Sequence, residues 1–163
     1  MKIQSLNIIK FESVESKIIT IRDIPVILDS DVAVLYGVET KRVNEAVGNN
    51  PDKFPDGYIF KLEKEEWDFI RSKISTLKNL GRGQHKKYIP IAFTEKGLYM
   101  LATILKSPQA TATTISIIEA FSKIREIGRN IKAMANIKSE EEKHPLMKRS
   151  GELISEIFDN DLS

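Results

Sequence analysis

The sequence predicts an α+β fold with a small N-terminal β-hairpin, a helix-turn-helix with wing-like strands, and a long C-terminal helix. Short β-branched runs before residue 30, apolar residues at helical spacing from Val32 to Val47, and an unbroken helical pattern after Pro108 indicate these elements. We expect a domain over 15–107, a long helix over 108–138, and a charged linker with a short amphipathic helix over 139–163.

The hairpin is predicted from two β-branched runs on either side of the turn region 22–25. Asp29-Ser30-Asp31 then offers N-cap side chains for a first short helix, which Gly37 ends. Thr40 can cap a second helix, which Gly48-Asn49-Asn50-Pro51 is expected to stop. Two short helices joined by a tight glycine turn are therefore expected.

The middle of the chain alternates strand and helix patterns. A turn at Phe54–Gly57 leads into a strand, and the next helix places Trp67 on its apolar face, so Trp67, Tyr58 and Phe60 are interpreted as core residues rather than base-stacking platforms. A polar, glycine-rich, basic stretch over 79–87 then precedes the strand Tyr88–Phe93. This arrangement predicts a basic wing.

The last third of the chain is predicted to be helical. Thr94 begins one helix, and Ser107-Pro108 is expected to cap the long one. The long helix carries a heptad-like seam formed by Ala110, Thr114, Ile117, Phe121, Ile124, Gly128, Ile131 and Ala135. Such a seam needs a partner helix, which is either the chain's own body or a second copy; a homodimer is the favoured expectation.

Composition excludes several classes of protein. The sequence has no cysteine and only two histidines, so disulfides, zinc fingers and iron–sulfur clusters are excluded, and neither a metal nor a cofactor is expected. Asp29 and Asp31 can be imagined as a magnesium site, but helix capping explains them better, and an enzyme is not expected. No apolar run approaches the ~20 residues of a membrane span, so we expect a cytoplasmic, nucleoid-associated protein without membrane contact.

The net charge of +2 is small, but its distribution is uneven. The stretch from Phe69 to Thr94 has no acidic residue and carries Arg71, Lys73, Lys78, Arg82, Lys86 and Lys87. It is interpreted either as a phosphate-contacting surface or as an ordinary solvated face.

The segment Asp29–Gly48 has the pattern of a DNA-binding helix-turn-helix. Ala33 is small where the helices cross, Gly37 occupies the turn, and Val43 anchors the second helix, with Val38 beside it. In this geometry the second helix enters the major groove, although its polar residues can also be simple solvent-facing side chains. The predicted DNA contacts are Thr40, Lys41, Arg42, Asn44, Glu45, Asn49, Lys53, Arg71, Lys73, Lys78, Arg82, His85, Lys86 and Lys87.

Three short sequence motifs resemble those of a known family: LYGV at 35–38, NNPDKFP at 49–55 and AFTEKG at 92–97. Over roughly residues 15–127 the chain resembles the phage-derived domain named for the N-terminal half of open reading frame six, a relative of the KilA-N domain. The resemblance implies a DNA-binding domain of phage antirepressors and prophage-derived proteins, with its recognition helix at Thr40–Val47. Gly48 stands where that family frequently has a basic residue.

The expected function is therefore sequence-specific binding of double-stranded DNA by a phage or prophage transcriptional regulator or antirepressor. The alternative is a protein-interaction antirepressor that binds a repressor protein without reading DNA. It would use the helix over 108–138 and the tail face containing Leu153 and Phe158.

Overall fold

The computed structural model describes residues 14–78, 88–136 and 140–162. The chain divides into two compact units, Ile19–Ser107 and the remainder, with the second boundary before Pro108. We call Ile19–Ser107 the sheet unit and the remainder the helical unit. The predicted α+β class is confirmed, because the described residues combine a small antiparallel sheet with helices.

The sheet consists of β1 Ile19–Ile21, β2 Ile24–Leu28, β3 Ile59–Lys61 and β4 Ile91–Phe93. The strands lie in the order β1-β2-β4-β3, and each neighbouring pair is antiparallel. The predicted hairpin is β1–β2, and its turn residues Arg22 and Asp23 have φ angles of 56° and 61°. Two successive positive φ angles are typical of the tight turn that matches strand twist.

The helices of the sheet unit are α1 Asp29–Tyr36, α2 Thr40–Asn49, a 3-10 turn at Pro51–Lys53, α3 Lys64–Lys78 and α4 Glu95–Ala102. One predicted detail of α2 is wrong: Thr40 is not the cap, since Glu39 occupies that position and makes no side-chain cap bond. The helix ends inside the predicted stop segment 48–51, with Asn49 as its last residue. Asn50 closes it by donating from its backbone N–H to the carbonyl of Val47 and from Nδ2 to the carbonyl of Ala46.

One face of the sheet packs against α3. Val26, Leu28 and Ala92 form a buried cluster with Ile21 and Leu62, against which Phe60, Trp67 and Ile70 pack. This confirms that Trp67 and Phe60 are core residues. Alternation along a strand directs Ile27 and Phe93 to the opposite face, where Phe54 meets Phe93 edge-on with ring centroids 6.3 Å apart.

The turn of the hairpin is attached to the start of α3. Arg22 donates two hydrogen bonds of 2.9 Å to the Glu66 carboxylate and lies 4.3 Å from the centre of the Phe60 ring. The hydrogen bond to Glu66 raises the pKa of Arg22, and the bond from Arg22, followed by the bond from the Glu63 N–H, lowers the pKa of Glu66. A bidentate pair of this kind fixes orientation as well as charge.

The junction between β4 and α4 is closely packed. Thr94 caps α4, as predicted, and its hydroxyl also donates to the carbonyl oxygen of Gly57 at 2.7 Å. A Cβ at Gly97 would lie only 2.0 Å from the carbonyl oxygen of Tyr58. Glycine is required at Gly97 because the backbones of α4 and the β3 turn approach too closely for a side chain.

The helical unit consists of a helical turn over 14–17, α5 Ala110–Ala135 and α6 Glu140–Leu162. Its long helices pack antiparallel, with Arg149 3.0 Å from Glu126 and Lys123 3.1 Å from Glu156. The predicted linker is wrong from Glu140 onward, because these residues belong to a continuous helix that includes Pro145. Abundant Glu, Lys, Leu and Met favour a helix there.

Two further predictions about α5 need correction. Ser107-Pro108 is not its cap: Gln109 takes that place, and the Ser107 hydroxyl donates to the carbonyl of Tyr36 within the sheet unit. The predicted seam is buried only in its middle, at Ile117 and Phe121, whereas Gly128, Ile131 and Ala135 are exposed. A straight helix drifts away from a seven-residue repeat, so the buried positions become Thr113, Ser116, Ile117, Ala120 and Phe121.

Candidate nucleic-acid interface

Helices α1 and α2 are joined by the three-residue turn Gly37–Glu39. Gly37 has a φ angle of +69°, and its N–H donates to the carbonyl of Val34, while the N–H of Val38 donates to that of Ala33. Ala33 and Val43 are buried where the sequence predicts contact between the helices. The left-handed turn and these small buried residues fix the angle at which α2 leaves α1.

The outer face of α2 is polar and open to solvent. The side chain of Lys41 is 80% exposed and that of Glu45 is 56% exposed, with 3.9 Å between their charged atoms. Gly48 and Asn49 are exposed further along, and Thr40 is half-buried. At this exposure the Lys41–Glu45 pair is weak and leaves both side chains available to a ligand.

The segment between α4 and α5 lies beside α2 and the 3-10 turn that follows it. The Arg42 guanidinium donates to the carbonyl of Lys106 at 3.1 Å, and Lys53 donates to the hydroxyl of Thr103 at 3.4 Å. These contacts bring Arg42, Lys53 and the exposed Lys106 to the border of one segment, Thr103–Ser107. The sequence gives no sign of it, because the partners are at least 50 residues apart and use a carbonyl and a hydroxyl.

Asn44, predicted to contact a base edge, lies instead beside buried polar groups. Its side chain lies near Tyr88, whose hydroxyl donates to the fully buried carboxylate of Asp29. Burial, followed by the bond to Asp29, raises the pKa of Tyr88 well above its usual value. The Oδ1 atom of Asn44 is shielded from solvent and has no hydrogen-bond partner among the described residues. Asn44 therefore faces the body of the sheet unit rather than the outer side of α2.

The predicted capping of α1 by Asp29 is wrong, because Leu28 is the N-cap residue and makes no side-chain cap bond. The Asp29 Oδ1 accepts the N–H of Ser30 at 2.8 Å, and its Oδ2 accepts the N–H of Ile91 at 3.3 Å in addition to the Tyr88 hydroxyl. The carboxylate therefore joins the first turn of α1 to β4. A fully buried carboxylate with three donors explains Asp29 without a metal.

The predicted contacts on α3 are engaged with neighbours on the same helix. Arg71 pairs with Asp68 at 3.2 Å and lies 5.7 Å from the Trp67 ring centre, and Lys73 lies 4.5 Å from that of Phe69. Arg82, His85, Lys86 and Lys87 fall outside the described residues, as does the side chain of Lys78. The wing remains a prediction.

Over 14–78, 88–136 and 140–162, no group of three His, Asp or Glu side chains is placed to hold a metal ion. Across those same ranges, no helix combines the length and apolarity needed to cross a membrane.

The region that contains the sheet and the α1–α2 pair is a domain of a phage-associated class. The chain is a member of the ORF6N domain family, which matches residues 16–104. The match spans the sheet unit almost completely, including the LYGV and AFTEKG segments, and ends before α5. The relation to the KilA-N domain stays a prediction. No curated protein and no solved structure matches the chain.

Proposed function

We propose that this chain is a sequence-specific double-stranded-DNA-binding regulator of phage or prophage origin, in which α1 and α2 act as a helix-turn-helix. The observation that carries the proposal is the α1–Gly37–α2 geometry, in which a left-handed glycine and buried Ala33 and Val43 hold an otherwise polar, exposed α2. A helix held in this way and open along one side is suited to the major groove. Membership of a phage-associated family supports this proposal.

Phosphate contacts would come from the cations around α2. Arg42, Lys53 and Lys106 are exposed or half-buried there, with Glu39, Glu45 and Asp52 among them. The opposing charges limit non-specific attraction, so affinity for random duplex should be modest and sequence preference should matter.

The experiment is selection of bound duplexes from a random library with the full chain, followed by anisotropy titration of the selected and a scrambled site. The proposal predicts a shared motif and an affinity for the selected site at least about 1,000-fold above that for the scrambled one. Failure to enrich any sequence, with no duplex binding by titration, would contradict it.

A second candidate, a protein-interaction antirepressor, is favoured by a different observation. The helical unit leaves Ile115, Ile118, Ile131, Met147 and Ile154 exposed. Ile115 and Ile118 share one face of α5, and Met147 and Ile154 share one face of α6. An exposed apolar face of this kind can be covered by another protein, either a repressor or a second copy of this chain.

Self-association is measured by sedimentation of the full chain up to ~100 μM, where apolar interfaces of ordinary affinity are populated. A homodimer should become monomeric when Ile131 and Met147 are changed to serine. A monomeric wild type at that concentration would rule out the homodimer and leave a repressor as the candidate partner.

A further inference from the structure

Gly48 is a glycine that the fold itself does not require. Its φ angle is outside the left-handed region, and a Cβ built there meets no atom within 4 Å among the described residues. In this respect it differs from Gly37, which adopts a positive φ, and from Gly97, which faces the backbone of Tyr58. Gly128 and Gly151 have equally open surroundings, so it is the position of Gly48 on α2, rather than the open space, that sets it apart.

Gly48 lies within the most exposed stripe of α2. At 100° per residue, Lys41, Glu45, Gly48 and Asn49 fall within about a quarter to a third of the helix circumference. All four residues are exposed, and the side chain of Asn49 makes no hydrogen bond within the described part of the chain. This stripe is the side of α2 that a ligand meets first.

The other polar residues of α2 point to a different role. Arg42 is bonded to the carbonyl of Lys106, and Asn44 is half-buried with its Oδ1 atom shielded from solvent, so both face their own unit. Arg42 would lose its bond if it turned to a base, and Asn44 would have to leave its buried position. Readout by Lys41 and Glu45 costs only their weak, exposed ion pair.

We propose that Gly48 is the point at which α2 comes closest to the sugar–phosphate backbone, and that Lys41 and Glu45, rather than Arg42 and Asn44, read the bases. The proposal rests on the DNA-binding function inferred above. Without a Cβ at Gly48, the helix backbone lies against the groove wall, which sets its tilt. Glu45 is one helical turn from Lys41, and a carboxylate accepts from the amino group of cytosine.

The first test compares Gly48→Ala with the matched control Gly128→Ala, since a Cβ at either glycine meets nothing within 4 Å. Both variants should unfold at or above the wild-type temperature, because alanine is the better helix former. Gly48→Ala should bind the selected duplex about tenfold more weakly, the scale of one methyl forced into a packed contact. Gly128→Ala should bind it like wild type.

The second test repeats the site selection with Glu45→Gln and with Arg42→Ala. Glu45→Gln should change the preferred base at one position, whereas Arg42→Ala should weaken all sequences alike and keep the motif.

Wild-type affinity in Gly48→Ala overturns the close approach, and an unchanged motif in Glu45→Gln overturns base readout by that residue. If the wild-type chain itself binds no duplex, the proposed function fails and this inference fails with it. Loss of binding by the wild type can be told apart from the Gly48→Ala and Glu45→Gln outcomes, because both of those are measured relative to a wild type that binds.

Discussion

Different kinds of interaction stabilise the interior of the sheet unit and that of the helical unit. In the sheet unit, buried polar groups join residues far apart in sequence: Asp29 accepts from Ile91, and Thr94 donates to Gly57. In the helical unit, α5 and α6 share an apolar strip and partly exposed ion pairs such as Arg149–Glu126. A buried hydrogen bond tolerates one geometry, whereas an exposed ion pair tolerates many.

This difference suits the two units to different roles. The sheet unit presents α2 at a fixed angle, as recognition of a rigid duplex requires. The helical unit leaves apolar residues such as Ile131 and Met147 exposed, at 54% each, as contact with another protein requires. Variants that disturb each kind of contact can test the contrast.

The largest effect is expected at Gly97. Alanine there would place a methyl 2.0 Å from a backbone oxygen of Tyr58, and neither backbone can move without losing the Thr94 contacts. We expect Gly97→Ala to lower the unfolding free energy of the sheet unit by about 3 kcal/mol. Trp67, the only tryptophan, reports on this unit alone in a urea titration followed by fluorescence.

Gly151→Ala is the control, since a Cβ there meets nothing within 4 Å in the described helical unit. It should leave the Trp67 transition unchanged. A Gly97→Ala transition that coincides with wild type would show that the junction is looser than the contacts indicate.

The sequence predicts those parts of the fold that depend on neighbouring residues. The hairpin turn at Arg22-Asp23, the left-handed Gly37 and the cap Thr94 each follow from local chemistry, and each is found. The burial of Asp29 does not follow, because in sequence an aspartate that caps a helix looks the same as one that accepts from Tyr88 once the strands have paired.

The candidate site shows the same limit. The spacing of apolar residues predicts that 40–49 form a helix, but not which polar side chains face inward. Arg42 faces Lys106, which is 64 residues away, and Asn44 lies near Tyr88, which is 44 residues away. The predicted burial of the seam is wrong at the C-terminal end of α5 for a related reason. Heptad spacing indicates an apolar face but not how far a partner helix follows it.

An intermediate effect is expected at Tyr88. Tyr88→Phe removes the hydroxyl that donates to the buried Asp29 carboxylate, and leaving that oxygen with fewer donors should cost about 1–3 kcal/mol. The fold favours the neutral phenol, since burial and Asp29 raise its pKa. Its contribution is therefore complete below the unfolded value near 10 and declines as pH rises above it.

The measurement is urea unfolding of wild type and Tyr88→Phe between about pH 7 and pH 11, a range that brackets that ordinary value. Wild type should lose more stability than the variant above pH 10. Parallel decline of both proteins would remove Tyr88 from the alkaline transition.

The smallest effect is expected at Arg149. Glu126, the main partner, raises the pKa of Arg149, but the pair is open to solvent. Arg149→Gln should leave the thermal midpoint of the helical unit within experimental error, because exposed pairs contribute little. A clear loss by circular dichroism would mean that α5 and α6 depend on this ion pair, and the contrast between the units would weaken.

Salt dependence of binding probes the proposal that the sheet unit binds duplex DNA through α2 and its border. Anisotropy of a labelled selected duplex is followed from about 50 to 200 mM salt for wild type, Lys53→Gln and Lys106→Gln, with Lys148→Gln in the helical unit as the control. Each sheet-unit variant should lower the slope of log affinity against log salt by about 0.9, and Lys148→Gln should leave it unchanged. Equal slopes in all four proteins, or a loss confined to Lys148→Gln, would contradict the account.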